Sequence, residues 1–218
     1  MCIRDRSYTL AASLQELISG QTDCRLFIDI PIGLADGHKR DCDQMVRRLL
    51  SPLRHTSVFS TPVRDAVYAP DYDTACNINA KQTGNRISKQ SWNICPKIRE
   101  VDEYLREHPG LQNRVYESHP EVAFYALNGL QSLPTQKKSN EGQAQRLALL
   151  EQHIDNARRL FSDAAGDYPR SQVQCDDILD AMVLAIMASG NDTGLVSVPE
   201  PTPRDRYGLP MRIVYRSV

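Results

Sequence analysis

The sequence lacks a Cys-x-x-Cys pair, a long uninterrupted hydrophobic run, any sizeable net charge and a glycine-rich phosphate fingerprint. Each absence excludes a class of protein. Six cysteines stand scattered at positions 2, 24, 42, 76, 95 and 175. Without close pairs they do not make a zinc site. Because "MCIRDRSYTL" has no apolar secretory centre, they read as reduced thiols of a cytoplasmic protein rather than a disulfide framework. The longest apolar run, Ile178 to Ala188, contains Asp180 and is too short to span a bilayer, so no membrane partner is expected. A formal net charge of −1 sets up no global field toward polyanions, and any nucleic acid must be held by a local patch. "NRISKQ" does not match a Walker loop, and no G-x-G-x-x-G opens a helix, which removes the nucleotide-binding fingerprints. Internal repeats and low-complexity tracts are absent too.

What is present is an ordinary globular composition, 41% hydrophobic and 24% charged over 218 residues, enough for one domain with a sizeable core. Leu10, Leu14, Leu17 and Ile18 share a helical face that Gly20 stops. "CRLFIDIPIGL" reads as a buried strand ending near Asp29, and "NRVYES" as a second, closed by Glu117. Between them come a helix carrying Met45, Val46, Leu49 and Leu50, then long irregular connections with short helices over residues 51–90. From Gln90 to about Glu107 the stripe Ile94, Ile98, Val101 and Leu105 predicts a helix that Pro96 should kink or restart. "HPEVAFYALNG" predicts a helix with Pro120 near its first position. "QAQRLALLEQHIDNARRLF" reads as one amphipathic helix, "DDILDAM" as the last helix, and the proline-rich tail as a loop closing in "MRIVY". Strands alternating with helices indicate an α/β domain with a mostly parallel sheet, yet only two strands are clear.

The acids carry the chemistry. Asp29 and Glu117 each close a strand, and in open parallel sheets ligands sit at that edge. If the two strands are neighbours, the two acids lie side by side. Asp177 and Asp180 are three apart on the last helix, and Asp176 and Asp180 four apart, so both spacings share a face, opposite the apolar stripe of Leu179, Met182, Val183, Ile186 and Met187. Asp176 or Asp177 also suits a helix cap, and Asp29 could bond the amides of its Pro-Ile-Gly turn. Asp180 is harder to explain structurally, because a carboxylate among apolar neighbours is costly unless paired, exposed or metal-bound. Clustered oxygen donors without histidine or thiolate suit Mg²⁺ or Mn²⁺, and such clusters serve phosphodiester cleavage.

At these residues the chain resembles the family called domain of unknown function 429, predicted to be RNase H-like nucleases. The shared pieces are "DIPIGL" (29–34), "SVFSTPVRDAV" (57–67), "GNRISKQSWNICPKIREVD" (84–102), "YESHPEVAFYALNG" (116–129), "KK" (137–138), "DDILDA" (176–181) and "GLPMRIVY" (208–215). The resemblance implies an RNase H-like α/β fold, a mixed sheet flanked by helices, with Asp29, Glu117, Asp177 and Asp180 as catalytic, metal-holding acids. The family's opening strand, with its "VDG…GW" pattern and first acid, has no counterpart here. "MCIRDRS" can be back-translated as ATG-TGT-ATA-AGA-GAC-AG, which looks like a sequencing-library transposon adaptor. Residues 1–6 are accordingly expected to be artefact, and 7–218 one RNase H-like domain lacking its first strands, a fragment in which activity can be lost.

Lys81, Arg86, Lys89, Lys97 and Arg99 cluster around Trp92 in the sequence. Lys89 and Lys97 are expected to hold phosphates of DNA or RNA, and Trp92 to stack on a base. A solvated basic face around a core tryptophan is the competing reading. His119, between a strand and Pro120, is either a proton relay or a cap. The functional expectation is a divalent-metal-dependent nuclease. A non-catalytic nucleic-acid-binding or interaction module on the same fold is the alternative, and a sugar-kinase-like phosphotransferase lacks the glycine-rich loops it needs.

Overall fold

The computed structural model describes residues 2–4, 7–19, 24–189 and 193–217. Gly20, expected to end the first helix, lies outside them, as do Met1, Asp5 and Arg6 of the suspected adaptor. In chain order the elements are β1 (Cys2–Arg4), β2 (Ser7–Thr9), α1 (Leu14–Ile18), β3 (Leu26–Ile28), α2 (Asp41–Leu49), α3 (Arg64–Val67), α4 (Tyr72–Thr83), α5 (Lys89–Glu107), β4 (Val115–Glu117), α6 (Pro120–Leu127), α7 (Asn140–Leu150), α8 (Ala157–Asp167), α9 (Cys175–Ala188), β5 (Leu195–Val198) and β6 (Ile213–Arg216). The class is mixed α/β. Among the described residues the strands form three pairs: β1–β2 and β5–β6 antiparallel, β3–β4 parallel. The suspected adaptor residues Cys2–Arg4 are therefore paired with Ser7–Thr9.

β3 and β4 are neighbours in the register Ile28↔Glu117, and Ser118 N–H continues the ladder to the Ile28 carbonyl at 2.9 Å. The two strand-end acids thus leave the same edge of one parallel pair. β6 runs beside β4, and α9 packs against β3, α6, α7 and α8. The largest core cluster gathers Phe27, Val46, Phe124, Leu150, Leu179 and Met182, all buried. Burying a side chain of that size stabilises by about 1.5–3 kcal/mol, so α9 is anchored by its apolar stripe, which fixes where its acidic head points.

Four elements depart from the sequence reading. Residues 51–90, read as irregular connections with short helices, include one longer helix, the twelve-residue α4; Asp71 caps it, accepting from Thr74 N–H at 2.8 Å, and Gly84 ends it at φ +75°. Its polar, weakly periodic face hides it from a hydrophobic pattern. α5 runs unbroken through Pro96, its buried stripe of Cys95, Ile98, Val101 and Leu105 outweighing the lost hydrogen bond. The long "QAQ…RLF" segment is two helices, parted before Asn156, whose φ of +60° no α-helix accommodates. The tail, read as a loop closing in "MRIVY", holds two strands, Leu195–Val198 paired with Ile213–Arg216.

The turn after Asp29 is clamped from outside. Gly33 has φ +73°, and a Cβ there would lie 2.8 Å from Met211 Cγ and 3.0 Å from the Leu209 and Pro210 carbonyl oxygens. Only glycine admits that close a strap.

Candidate functional site

Beyond the parallel pair one strand-end acid lies within electrostatic reach of two acids on the distant helix α9. Asp29 follows β3; Asp177 and Asp180 lie on the first two turns of α9; electrostatic coupling ties Asp29 to both. Asp176, Lys137 and His119 complete the neighbourhood. Asp29 lines a narrow pocket with Asp43, Thr61, Glu117, Ser118 and His119. It is exposed to water yet crowded by protein, as a group at a pocket mouth is. Crowding raises the proton affinity of its carboxyl; His119 and Lys137 oppose the rise and Asp177 adds to it, while water access tempers all of these effects.

Asp180 answers the question of a carboxylate in an apolar helix. Its Oδ2 accepts from Lys137 Nζ at 2.8 Å, and the same ammonium stands 3.4 Å from Asp176 Oδ2. Burial still pushes the Asp180 carboxyl up to about 6, against Lys137 and with help from Asp29 and Glu121. Lys137 is buried enough to disfavour its charge, yet Asp180, Asp176 and Asp29 together raise its proton affinity and keep it an ammonium. Asp177 is exposed and caps α9: its Oδ2 accepts from Gln174 N–H at 2.9 Å in a capping box.

Glu117 leaves the same edge but meets a different partner. Arg40, only 1% exposed, donates from Nη2 to Glu117 Oε2 at 2.6 Å. That guanidinium also reaches Cys42 Sγ at 2.8 Å, Asp43 Oδ1 at 3.5 Å and Thr61 Oγ1 at 3.4 Å. Glu117 Oε2 further accepts from Ile32 N–H at 2.7 Å, so the strand-end acid pins the turn that carries Asp29. Two acids share one arginine here. Burial, outweighing Arg40 and aided by Asp43, pushes the Glu117 carboxyl up to about 7. Deeper still, fully buried Arg146 pairs with Glu121 at 2.6 Å beneath the site.

His119 is the N-cap of α6, its Nδ1 accepting from Glu121 N–H at 3.2 Å. The basic residues are placed elsewhere: among the described residues no hydrogen bond or ion pair joins Lys89, Trp92 or Lys97 to these acids. Lys89 Nζ stands 3.4 Å above the Tyr72 ring, and Trp92 packs edge-on against that ring at 6.2 Å. Lys97 Nζ donates to the Ala12 carbonyl at 2.6 Å and to Glu100 at 2.9 Å, while Glu100 accepts from Leu14 N–H at 2.7 Å. Its ammonium thereby ties α1 to α5.

The oxygen donors suit Mg²⁺ or Mn²⁺ in kind. Among the described residues, however, no three His, Cys, Asp or Glu side chains are grouped to hold a metal ion. Asp180 faces Lys137, Asp177 caps a helix and Glu117 faces Arg40. As arranged, these residues do not fit a divalent ion.

Sequence reasoning passed over Lys137, Arg40 and Ser118. "KK" was the one signal for the first; nothing local announces that Arg40 is buried, since its partner lies 77 positions away. Ser118 Oγ is buried in the pocket wall and has no hydrogen-bond partner among the described residues.

The family model described as protein of unknown function (DUF429) matches residues 4–204. The chain belongs to that family. The match takes in Asp29, Glu117, Lys137 and the head of α9, so the acid neighbourhood of this DUF429 chain lies within it. Comparison with curated proteins and with solved structures finds no match. No helix among the described residues is long and apolar enough to cross a membrane.

Proposed function

We propose that this DUF429 chain is a hydrolase of nucleic-acid phosphodiester bonds on an RNase H-like frame, with Asp29, Asp177 and Asp180 as its site. One observation carries the reading. An acid at the end of a parallel strand lies within electrostatic reach of two acids on a separate helix, and the proton affinities of Asp29 and Asp180 are raised although Lys137 stands beside them. Such excess negative charge is costly in a structural role and useful where a cation or a developing positive charge must be held. Asp29, with raised proton affinity and water access, is placed to take a proton from an attacking water. Lys137 sets a fixed positive charge beside the place where phosphate oxygens gain negative charge. No step of this reading runs through Mg²⁺ or Mn²⁺, because among the described residues these acids are not grouped to hold a divalent ion.

The test is cleavage of labelled single- and double-stranded DNA and RNA with and without Mn²⁺, comparing the wild type with Asp29→Asn. Turnover lost in Asp29→Asn supports the reading; equal turnover in both removes Asp29 from it. A second reading, a non-catalytic nucleic-acid-binding module, is favoured by the engagement of Glu117 with Arg40 and of Asp180 with Lys137. It predicts binding without turnover under every metal condition.

A further inference from the structure

Two side chains in the pocket beyond β4 take no part in the protein's own hydrogen bonds. The pocket holds about 20 Å³, room for about one water molecule. Asp29, Asp43, Thr61, Glu117, Ser118 and His119 make its polar wall, and Val58, Phe59 and Ile213 add apolar surface. Four of the polar residues are engaged. Asp43 Oδ2 accepts from Thr61 N–H at 2.7 Å, and Thr61 Oγ1 accepts from Arg40 Nη1 at 3.4 Å. Glu117 holds Arg40 and the Ile32 N–H, while His119 caps α6 and its Nε2 stands 3.4 Å from the Ser57 carbonyl oxygen. Among the described residues no hydrogen bond reaches the side chains of the other two, Asp29 and Ser118.

Both residues are fixed through the same acid. Ser118 follows Glu117 in the chain, spends its own N–H on the Ile28 carbonyl at 2.9 Å and is only 1% exposed. Asp29 opens the turn that Glu117 pins through the Ile32 N–H at 2.7 Å and that the 209–211 strap holds from outside. Glu117 is itself held by buried Arg40 at 2.6 Å. The hydroxyl and the carboxylate thus line one small space whose walls belong to a single braced unit.

Their chemistries are complementary. A serine hydroxyl offers a proton, and a carboxylate offers only lone pairs. A buried hydroxyl with no partner is costly, so a molecule that accepts from it is favoured there. One that bonds both groups must accept and donate, and the space limits it to the size of water. We propose that Ser118 and Asp29 hold a single water in this pocket, and that this water is the nucleophile of the hydrolysis. The inference rests on the proposed reading of Asp29 as the proton acceptor. The water accepts from Ser118 Oγ–H through one lone pair, donates to an Asp29 oxygen, and attacks phosphorus with its second lone pair. As the new P–O bond forms the ester P–O bond breaks, Asp29 takes the water's proton, and the leaving oxygen is protonated from solvent. Ser118 thereby touches a reacting atom, which no local feature of "YESHP" announces.

The experiment pairs high-resolution crystal structures of the full chain, wild type and Ser118→Ala, with cleavage kinetics of both on labelled DNA and RNA. The wild type should show one ordered water about 2.7–3.0 Å from both Ser118 Oγ and an Asp29 carboxylate oxygen. Ser118→Ala should lose that water, keep a Tm close to the wild type, and lower kcat at least about tenfold with KM unchanged. A merely structural serine would move Tm and leave the kcat of the folded enzyme alone. The wild-type structure decides the water site even if Ser118→Ala fails to fold. A wild-type pocket without a water bonded to both groups would overturn the inference and leave the hydrolase reading to stand or fall on Asp29→Asn. A bound water with wild-type kcat in Ser118→Ala would overturn its assignment as the nucleophile. A bound water in a wild type that cleaves none of the substrates would overturn the hydrolase reading, and the nucleophile assignment with it.

Discussion

Replacing Asp180 with asparagine isolates the cost of one buried charge. The amide keeps the carboxylate's shape and can still accept from Lys137, which also remains beside Asp176. In the folded chain the Asp180 carboxyl is pushed up to about 6, with burial as the leading cause, from an ordinary value of 3.8. A raised acid favours the folded state in its protonated form. Its stability contribution is therefore fully present below pH 3.8 and is lost as the pH rises through 6. A shift of that size corresponds to about 3 kcal/mol of stability lost between acid and neutral pH. Because the side chain is only 14% exposed, solvent screening removes little of it. Asp180→Asn has no such proton to lose. Urea unfolding at pH 4.5 and at pH 8 should show the variant gaining on the wild type by about 1–2 kcal/mol at the higher pH, since about 1 kcal/mol is already lost by pH 4.5 and the bond to Lys137 is weakened. A gap that is the same at both pH values, or one that turns against the variant at pH 8, would mean that Lys137 compensates the Asp180 charge completely and that burial costs it nothing.

Arg40→Met leaves Glu117 and Asp43 buried without their shared cation and should cost about 3–5 kcal/mol in chemical denaturation, with much of the loss recovered in the Arg40→Met/Glu117→Gln double variant. Failure of the double variant to recover would show that Arg40 acts through packing. Gly33→Ala places a Cβ against the 209–211 strap at φ +73° and should destabilise by about 1–3 kcal/mol; a neutral effect would mean that the strap yields. Lys97→Ala should loosen α1, seen as faster amide exchange at Leu14, and leave the salt dependence of nucleic-acid binding unchanged; a slope lowered by about one unit would restore Lys97 as a phosphate contact.

Those parts of the fold that rest on local pattern were readable. β3 and β4, their acids, α2, the proline-started α6 and the apolar stripe of α9 follow from runs and periodicities confined to a few residues. α4 was not, although both its ends were marked: Asp71 with Thr74 makes a cap, and Gly84 supplies the left-handed stop. Its residues carry too little hydrophobic contrast to announce a helix between those signals. Pro96 was read by its usual effect, and four buried neighbours on α5 override it. The break between α7 and α8 turns on a single asparagine at φ +60°, a conformation that composition does not encode.

The site divides in the same way, and the division bears on where chemistry resides. The acids were visible as residue types at strand ends and on one helix face. Which positive group each acid meets was not visible, because Arg40 and Glu117, Arg146 and Glu121, and Lys137 and Asp180 are paired across 77, 25 and 43 positions respectively. Once those pairs are drawn, the acids no longer look alike. Glu117 and Glu121 each hold a buried arginine and serve the frame: one pins the turn after β3, the other lies under α9. Asp177 holds the first turn of its own helix. Asp180 shares with Asp176 a lysine whose side chain is 38% exposed. Asp29 is different again: among the described residues no hydrogen bond or ion pair reaches it, although it is crowded and its proton affinity is raised. A carboxylate kept at a pocket mouth without a fixed partner contributes nothing to stability that a neutral side chain could not supply. Asp29 is therefore the acid whose presence the fold does not explain, and Lys137 is a cation whose charge reaches it without a bond.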